Sequence, residues 1–301
     1  MLKAKNRSRD FPAFIDIFKV LAVYSSFDKK KGTIMTMEHI FSDIITKCNE
    51  ADMVLIGIGE EFQYDWDILL KNPRYQEIDE EIENKNEYRW IVPFLQKMVL
   101  EKNSDEMLNA AYKNLKKLID GKNYFIITTV TDDYVYRYGF NEERIVTPCG
   151  GFRKMQCDLN CSSQLLEPDN DAFERVRAYF DKTLSLDELN EPICERCGQK
   201  KRFNQIGVTK YAEEGYLPQW ETYTKWLQGI VNKKVCVIEL GVGMELPTII
   251  RWPFERIIYY NQKAFLYRIH PSLYQLGEKV GERGIGIKEK PVIFLANGFV
   301  K

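Results

Sequence analysis

Apolar positions in residues 36–50 recur at helical spacing: Ile40, Phe41, Ile44, Ile45 and Cys48 share one face and predict a helix. The unbroken run Met53-Val54-Leu55-Ile56 follows and ends at Gly57-Ile58-Gly59. A short run that is apolar throughout predicts a strand covered on both faces, as in a parallel sheet. Tyr124 to Thr129, Val235 to Leu240, Ala264 to Ile269 and Pro291 to Leu295 read as further strands, and the second of these stops at Gly241-Val242-Gly243. Helical patterns fill 90–99, 105–119 and 218–232, the last with Trp220, Tyr223, Trp226, Leu227 and Ile230 on its apolar stripe. Strands alternating with helices predict an α/β fold with a Rossmann-like, doubly wound parallel sheet.

The same pattern divides the chain. Residues 60–120 are charged, aromatic and mostly helical, and form an expected helical insertion. Residues 154–204 carry paired cysteines around a polar, helical stretch at 168–190, and form an expected small metal-binding module. The sheet domain is then 35–153 together with 205–301. Residues 1–34 are an expected N-terminal extension, a helix or arm packed on the domain, with Met35 and Met37 as alternative starts. Their apolar run lacks the clean core and small-residue cleavage site of a signal peptide.

Lys and Arg number 43 against 44 Asp and Glu, so the chain lacks the basic excess of a nucleic-acid binder. No apolar stretch reaches the length of a membrane span. Seven cysteines, an odd count without a secretion signal, favour a reducing, cytoplasmic location and metal binding over disulfides. Cys48, Cys149 and Cys236 stand apart in sequence, whereas Cys157, Cys161, Cys194 and Cys197 form C-x3-C, 32 residues, C-x2-C. Two such knuckles complete a tetrahedron around Zn2+. Four thiolates leave no open position, so the zinc would be structural. The two Gly-x-Gly turns, each at the end of an apolar strand, point to nucleotide binding, because glycine lets backbone approach a phosphate. The plainer reading is that they only turn the chain or pack helix on strand.

Several segments resemble the sirtuins. ADMVLIGIGEEF (51–62) resembles their opening strand and Gly-Ala-Gly turn. ITTVTDDYVYRYGF (127–140) resembles the segment carrying Thr-Gln-Asn-Ile-Asp. VTPCGGFRKMQC (146–157) resembles the stretch from the catalytic histidine to the first zinc cysteine, and CERCGQKKRFN (194–204) resembles the second knuckle. VIELGVGMELPTIIRWPFE (237–255) is most similar to the macrodomain-linked, class M sirtuins. The resemblance implies NAD as cofactor, with NAD or ADP-ribose and a protein substrate as partners, and ADP-ribosyl transfer in preference to lysine deacylation. It implies that Gly57, Gly59, Thr129, Gly241, Val242, Gly243 and His270 bind the cofactor, and that Asp132 and Arg251 lie in the catalytic pocket.

Three departures touch the chemistry. The general-base histidine maps onto Cys149, and a thiol with an ordinary pKa of about 8.5 is a poor base near neutrality. The sirtuin asparagine maps onto Val130. In the cofactor loop Glu60 and Glu61 directly follow Gly-x-Gly, where each unit charge 4 Å from a phosphate is worth about 4 kcal/mol of repulsion near a surface; Arg74 is the candidate to replace the loop arginine. Two further readings stand beside the transferase: a degenerate sirtuin that binds NAD, ADP-ribose or a partner without turnover, and a redox enzyme using Cys149. The plain readings are an Asp132 that caps a helix or lies on the surface, a surface Arg251 paired with Glu255, and a His270 without a ligand.

Overall fold

The computed structural model describes residues 26–27 and 34–298, so the expected N-terminal arm lies almost wholly outside the described residues. A two-residue ribbon, β1 (Ser26–Phe27) and β2 (Ile34–Met35), precedes the main fold. Helix α1 (Met37–Glu50) starts where the Thr36 hydroxyl accepts the His39 N–H, and buries Ile40, Phe41, Ile44 and Cys48 on one face.

The apolar runs become the strands of one parallel sheet. β3 (Met53–Ile58) and β4 (Tyr124–Thr128) are buried along their whole length. The short β5 (Ile145–Val146) forms one edge. After the antiparallel pair β6 (Gly150–Cys157) and β7 (Lys201–Gln205), the chain returns to the sheet in β8 (Val235–Leu240), β9 (Ala264–Ile269) and β10 (Gly284–Ile287). The order is β10-β9-β8-β3-β4-β5, so the winding reverses between β3 and β8. That is the Rossmann-like, doubly wound arrangement expected from the sequence, and in such sheets the crevice for ligands opens at the carboxyl ends of the two strands flanking the reversal. The register pairs Gly57 with Glu239 and Ile58 with Leu240, so both Gly-x-Gly turns leave the sheet side by side.

Side chains alternate across the sheet and feed two cores. Val54, Ile56 and Ile126 pack with α1 and the helices of 60–120: α2 (Asp67–Leu70), α3 (Pro73–Ile82), α4 (Val92–Lys102) and α5 (Glu106–Ile119). Helix α6 (Asn170–Phe180) joins this side. Leu55, Phe125 and Val237 pack with α7 (Leu217–Gln228) and α8 (Arg251–Tyr260) on the other. No helix among the described residues is long and apolar enough to cross a membrane.

One expectation is corrected. Pro291 to Leu295 is not a strand but the first turns of α9 (Pro291–Asn297). Pro291 suits a helix start, and the buried Asn114 amide of α5 donates to the Leu295 and Ala296 carbonyls at 2.8 and 3.1 Å. The sixth strand is β10 instead. Cys48 and Cys236, distant in sequence, also meet in the core, with sulfurs 3.4 Å apart.

Candidate functional site

The antiparallel pair β6–β7 carries Cys157 to its tip, and the following turn brings Cys161 back. Asn160 adopts a left-handed conformation there, φ 46°, which a three-residue knuckle needs to close. The second knuckle closes with the Gly198 N–H on the Cys194 carbonyl at 2.8 Å. All four sulfurs lie within 4.8 Å of one another; Cys157–Cys197 and Cys161–Cys194 are 3.5 and 3.7 Å. Zinc–sulfur bonds of about 2.3 Å in a tetrahedron set sulfur–sulfur separations near 3.8 Å, so the donor set fits zinc. The N–H groups of Arg196 and Cys197 pull the Cys194 thiol down to about 7, toward the thiolate a metal requires.

At the sheet reversal the two glycine turns pack on each other. Gly59 donates its N–H to the Leu240 carbonyl at 2.9 Å, and the Glu61 N–H reaches the Gly241 carbonyl at 3.1 Å. A Cβ on Gly59 would fall 2.5 Å from the Val242 Cα, so no other residue fits. A Cβ on Gly243 would fall 1.7 Å from a carboxylate oxygen of Glu60, which lies on this turn. Gly57 does not face the crevice: its missing side chain makes room for Ile250 and Phe254 of α8, 2.4 and 2.8 Å from an added Cβ. Thr129 bridges the neighbouring strand ends, its N–H donating to the Ile58 carbonyl at 3.0 Å.

Arg251 is buried, not on the surface, and pairs with backbone instead of Glu255. Its guanidinium donates to the Val242 carbonyl at 2.7 Å and to the Leu273 carbonyl, clamping the Gly-Val-Gly turn to the loop after β9. Glu255 turns instead to Arg268, which also forms a fully buried pair with Glu239. His270, at the end of β9, accepts the Ser272 and Leu273 N–H groups on Nδ1 at 3.1 and 2.9 Å. That fixes the neutral tautomer with the proton on Nε2, and burial holds the ring neutral by lowering its pKa. Arg74 is committed elsewhere: it donates to the Tyr179 and Phe180 carbonyls at 2.7 and 3.0 Å and holds α3 against the end of α6.

Asp132 is buried away from solvent, and one of its oxygens takes the first N–H of the short 3-10 helix Tyr134–Tyr138. Its two oxygens accept the Tyr64 and Tyr134 N–H groups at 2.8 and 3.0 Å, tying the loop after β3 to the loop after β4. Asp133, which the sequence reading passed over, adopts φ 58° and accepts the Phe152 N–H. A Cβ on Gly151 would fall 2.2 Å from its carboxylate, so Gly151 exists to admit it. The adjacent acidic pair was the available sequence signal. Burial lifts Asp132 to about 6 and, with help from the neighbouring Asp132 charge, Asp133 to about 7. Both folded values lie above the unfolded value of about 3.9. The stability they contribute is therefore complete below about pH 4 and is lost as pH rises through 6 to 7. Asp133→Asn keeps the acceptor for Phe152 and removes the charge; it is expected to raise Tm at pH 8 by roughly 2–4 °C, with the gain vanishing at pH 4. Equal melting of variant and wild type at pH 8 would refute this account of the pair.

Cys149 is fully buried, and burial together with the Glu60 charge pushes its thiol up to about 12. It therefore offers no thiolate at neutral pH, which removes the motive for a redox role. The native protein is expected to leave Cys149 unmodified by iodoacetamide at pH 7.4 while unfolded protein is labelled; rapid labelling of the folded chain would contradict the assignment.

No protein-family model matches the chain. A protein ADP-ribosyltransferase of Staphylococcus aureus is 24% identical over 262 residues, covering 81% of this chain and 82% of the relative. A probable bifunctional ADP-ribose hydrolase/ADP-ribosyltransferase of Fusarium oxysporum f. sp. cubense is 25% identical over 142 residues, covering 46% of this chain but only 24% of that longer protein. Among solved structures, Sir2Tm bound to a propionylated peptide superposes with a TM-score of 0.50 at 14% identity, covering 85% of this chain and 95% of that one. With its doubly wound sheet, its glycine turns at the reversal and its four-cysteine knuckle pair, the chain is a divergent protein of the sirtuin fold.

Proposed function

We propose that the chain is a sirtuin-type enzyme that uses NAD and transfers its ADP-ribosyl group to a protein, in preference to deacylating lysine. The observation that carries the preference is Cys149: a buried thiol pushed up to about 12 stands where deacylation would need a general base. The staphylococcal relative, a protein ADP-ribosyltransferase, and the fungal relative, a probable bifunctional ADP-ribose hydrolase/ADP-ribosyltransferase, support the same choice.

One feature of the sheet reversal supports a dinucleotide there. The space above Gly243 already takes an anionic group, the Glu60 carboxylate. The turns Gly59 and Gly241 to Gly243, with Thr129 beside them, would hold the diphosphate. His270 would present its Nε2 proton to a ribose hydroxyl. When bound, NAD supplies the ADP-ribosyl group, with nicotinamide as its leaving group. Arg251 acts as a positioning residue through its clamp on Val242, and Asp132 fixes the loop carrying Tyr64. A second reading, a sirtuin-fold protein without turnover, is favoured by Cys149, Val130 and the Glu60 carboxylate taken together.

The test is incubation of zinc-loaded protein with adenine-labelled NAD, candidate carrier proteins and, separately, an acetyl-lysine peptide. The expected result is nicotinamide release matched by label on protein, with the peptide left acetylated. Deacetylation of the peptide would reverse the preference, and no nicotinamide release with any acceptor would favour the second reading.

A further inference from the structure

The glycine turns at the sheet reversal are not open. Residues 59 to 61 fold down onto the second turn, with the Glu61 N–H on the Gly241 carbonyl at 3.1 Å, and this brings the Glu60 carboxylate to the space left free by Gly243. An oxygen of that carboxylate lies 1.7 Å from where a Cβ on Gly243 would be, and the carboxyl carbon 2.7 Å. Glycine at 243 is thus explained by an anion of the chain's own. The charge of Glu60 reaches three groups around the crevice: it raises the Cys149 thiol, and it supports protonation of Arg251 and of His270. Arg251 holds the same turn through the Val242 carbonyl at 2.7 Å. A cation tied to the turn and a carboxylate upon it make a charge-matched seat.

Resting on the reading of this crevice as a dinucleotide site, we propose that Glu60 is its specificity gate. The carboxylate occupies the phosphate seat in the absence of ligand, and a diphosphate enters only by displacing it. Two anions cannot share the seat, because unit charges a few ångströms apart repel strongly near a surface. Glu60 therefore weakens ligands that carry a phosphate and leaves uncharged nucleosides untouched. The gate belongs to this chain's own sequence, since it needs a carboxylate directly after Gly59 and a glycine at 243.

The experiment is calorimetric titration of zinc-loaded wild type, Glu60→Gln and Glu60→Ala with ADP-ribose and with adenosine, with zinc content and melting checked for each protein. The expected result is that both variants bind ADP-ribose roughly tenfold or more tightly than wild type, while adenosine affinity is unchanged. If wild type binds ADP-ribose and neither variant binds it more tightly, the gate is wrong and the dinucleotide site stands. If adenosine tightens as much as ADP-ribose, Glu60 acts by bulk and not by charge, and the gate is again wrong. If no protein binds ADP-ribose, both the gate and the site fall.

Discussion

Cys194→Ser is expected to abolish stoichiometric zinc binding and to unfold the knuckle module. The four sulfurs are drawn from two turns, each giving one buried thiol, Cys157 or Cys194, and one exposed thiol, Cys161 or Cys197. Strand pairing of Cys157 with Lys201 and the Asp158 N–H on the Lys200 carbonyl at 2.9 Å hold the stems, and the metal would fasten the turns beyond them. In small zinc modules the binding free energy is folding free energy, on the order of 10–16 kcal/mol at neutral pH, and removing one of four thiolates forfeits a large part of it. The module is rooted in β6–β7, where the Asn204 amide donates to Gln156 Oε1 at 2.7 Å and to the Ala212 carbonyl at 2.9 Å. Damage should therefore concentrate beyond that root. Metal analysis should fall from one zinc per chain to near none, and limited proteolysis should cut at the two knuckle turns, around Cys161 and Cys197, while α6 stays protected by its packing in the core. One zinc per chain with an unaltered melting curve would refute the site.

Arg268→Leu is expected to cost about 3–5 kcal/mol of stability, the usual scale for leaving one partner of a buried ion pair alone. Glu239 and Arg268 sit opposite each other on β8 and β9 and are almost fully buried. Arg268 also donates to the Gln275 carbonyl at 2.8 Å and to Glu255 at 2.9 Å, so one substitution strands several groups. Burial already pushes the Glu239 carboxyl up against the pull of Arg268. Without the arginine it would stay neutral over a wider range. The variant should then lose stability more steeply than wild type as pH rises, since a raised folded pKa gives stability that is lost on ionisation. Urea unfolding at pH 5.5 and 8 measures both effects. A loss under 1 kcal/mol at both pH values would show that the pair is not the closed unit described. Because β8 feeds the Gly-Val-Gly turn and β9 ends at His270, the same variant should loosen the crevice.

The sheet was legible because strands buried on both faces leave unbroken apolar runs, as at Met53 to Ile56 and Val235 to Leu240. The edge was not. Pro-Val-Ile-Phe-Leu has no periodicity of its own, so only its packing on α5 makes it a helix. β10 reads Gly-Ile-Gly-Ile, and a Cβ on Gly286 would fall 2.3 Å from the Tyr274 carbonyl; close backbone approach removed the side chains that would have marked a strand. The four-cysteine cluster was legible from spacing, because each knuckle is a local turn. The roles of Arg251, Asp132 and Glu60 were not, because each depends on which backbone groups a distant segment brings near. Arg251 looked like a partner for Glu255 one turn on, but burial gave it two carbonyls instead. Glu60 and Glu61 stood out as unfavourable to a diphosphate, and only the fold shows one of them resting on Gly243.

The proposed dinucleotide seat at the sheet reversal, filled at rest by Glu60, is open to direct observation. A crystal structure of zinc-loaded protein with millimolar ADP-ribose tests it most directly. The expected result is the diphosphate between Gly59 and Gly243, with the Glu60 side chain turned out of the crevice. An ordered Glu60 still on Gly243, with the ligand absent or bound elsewhere, would contradict it.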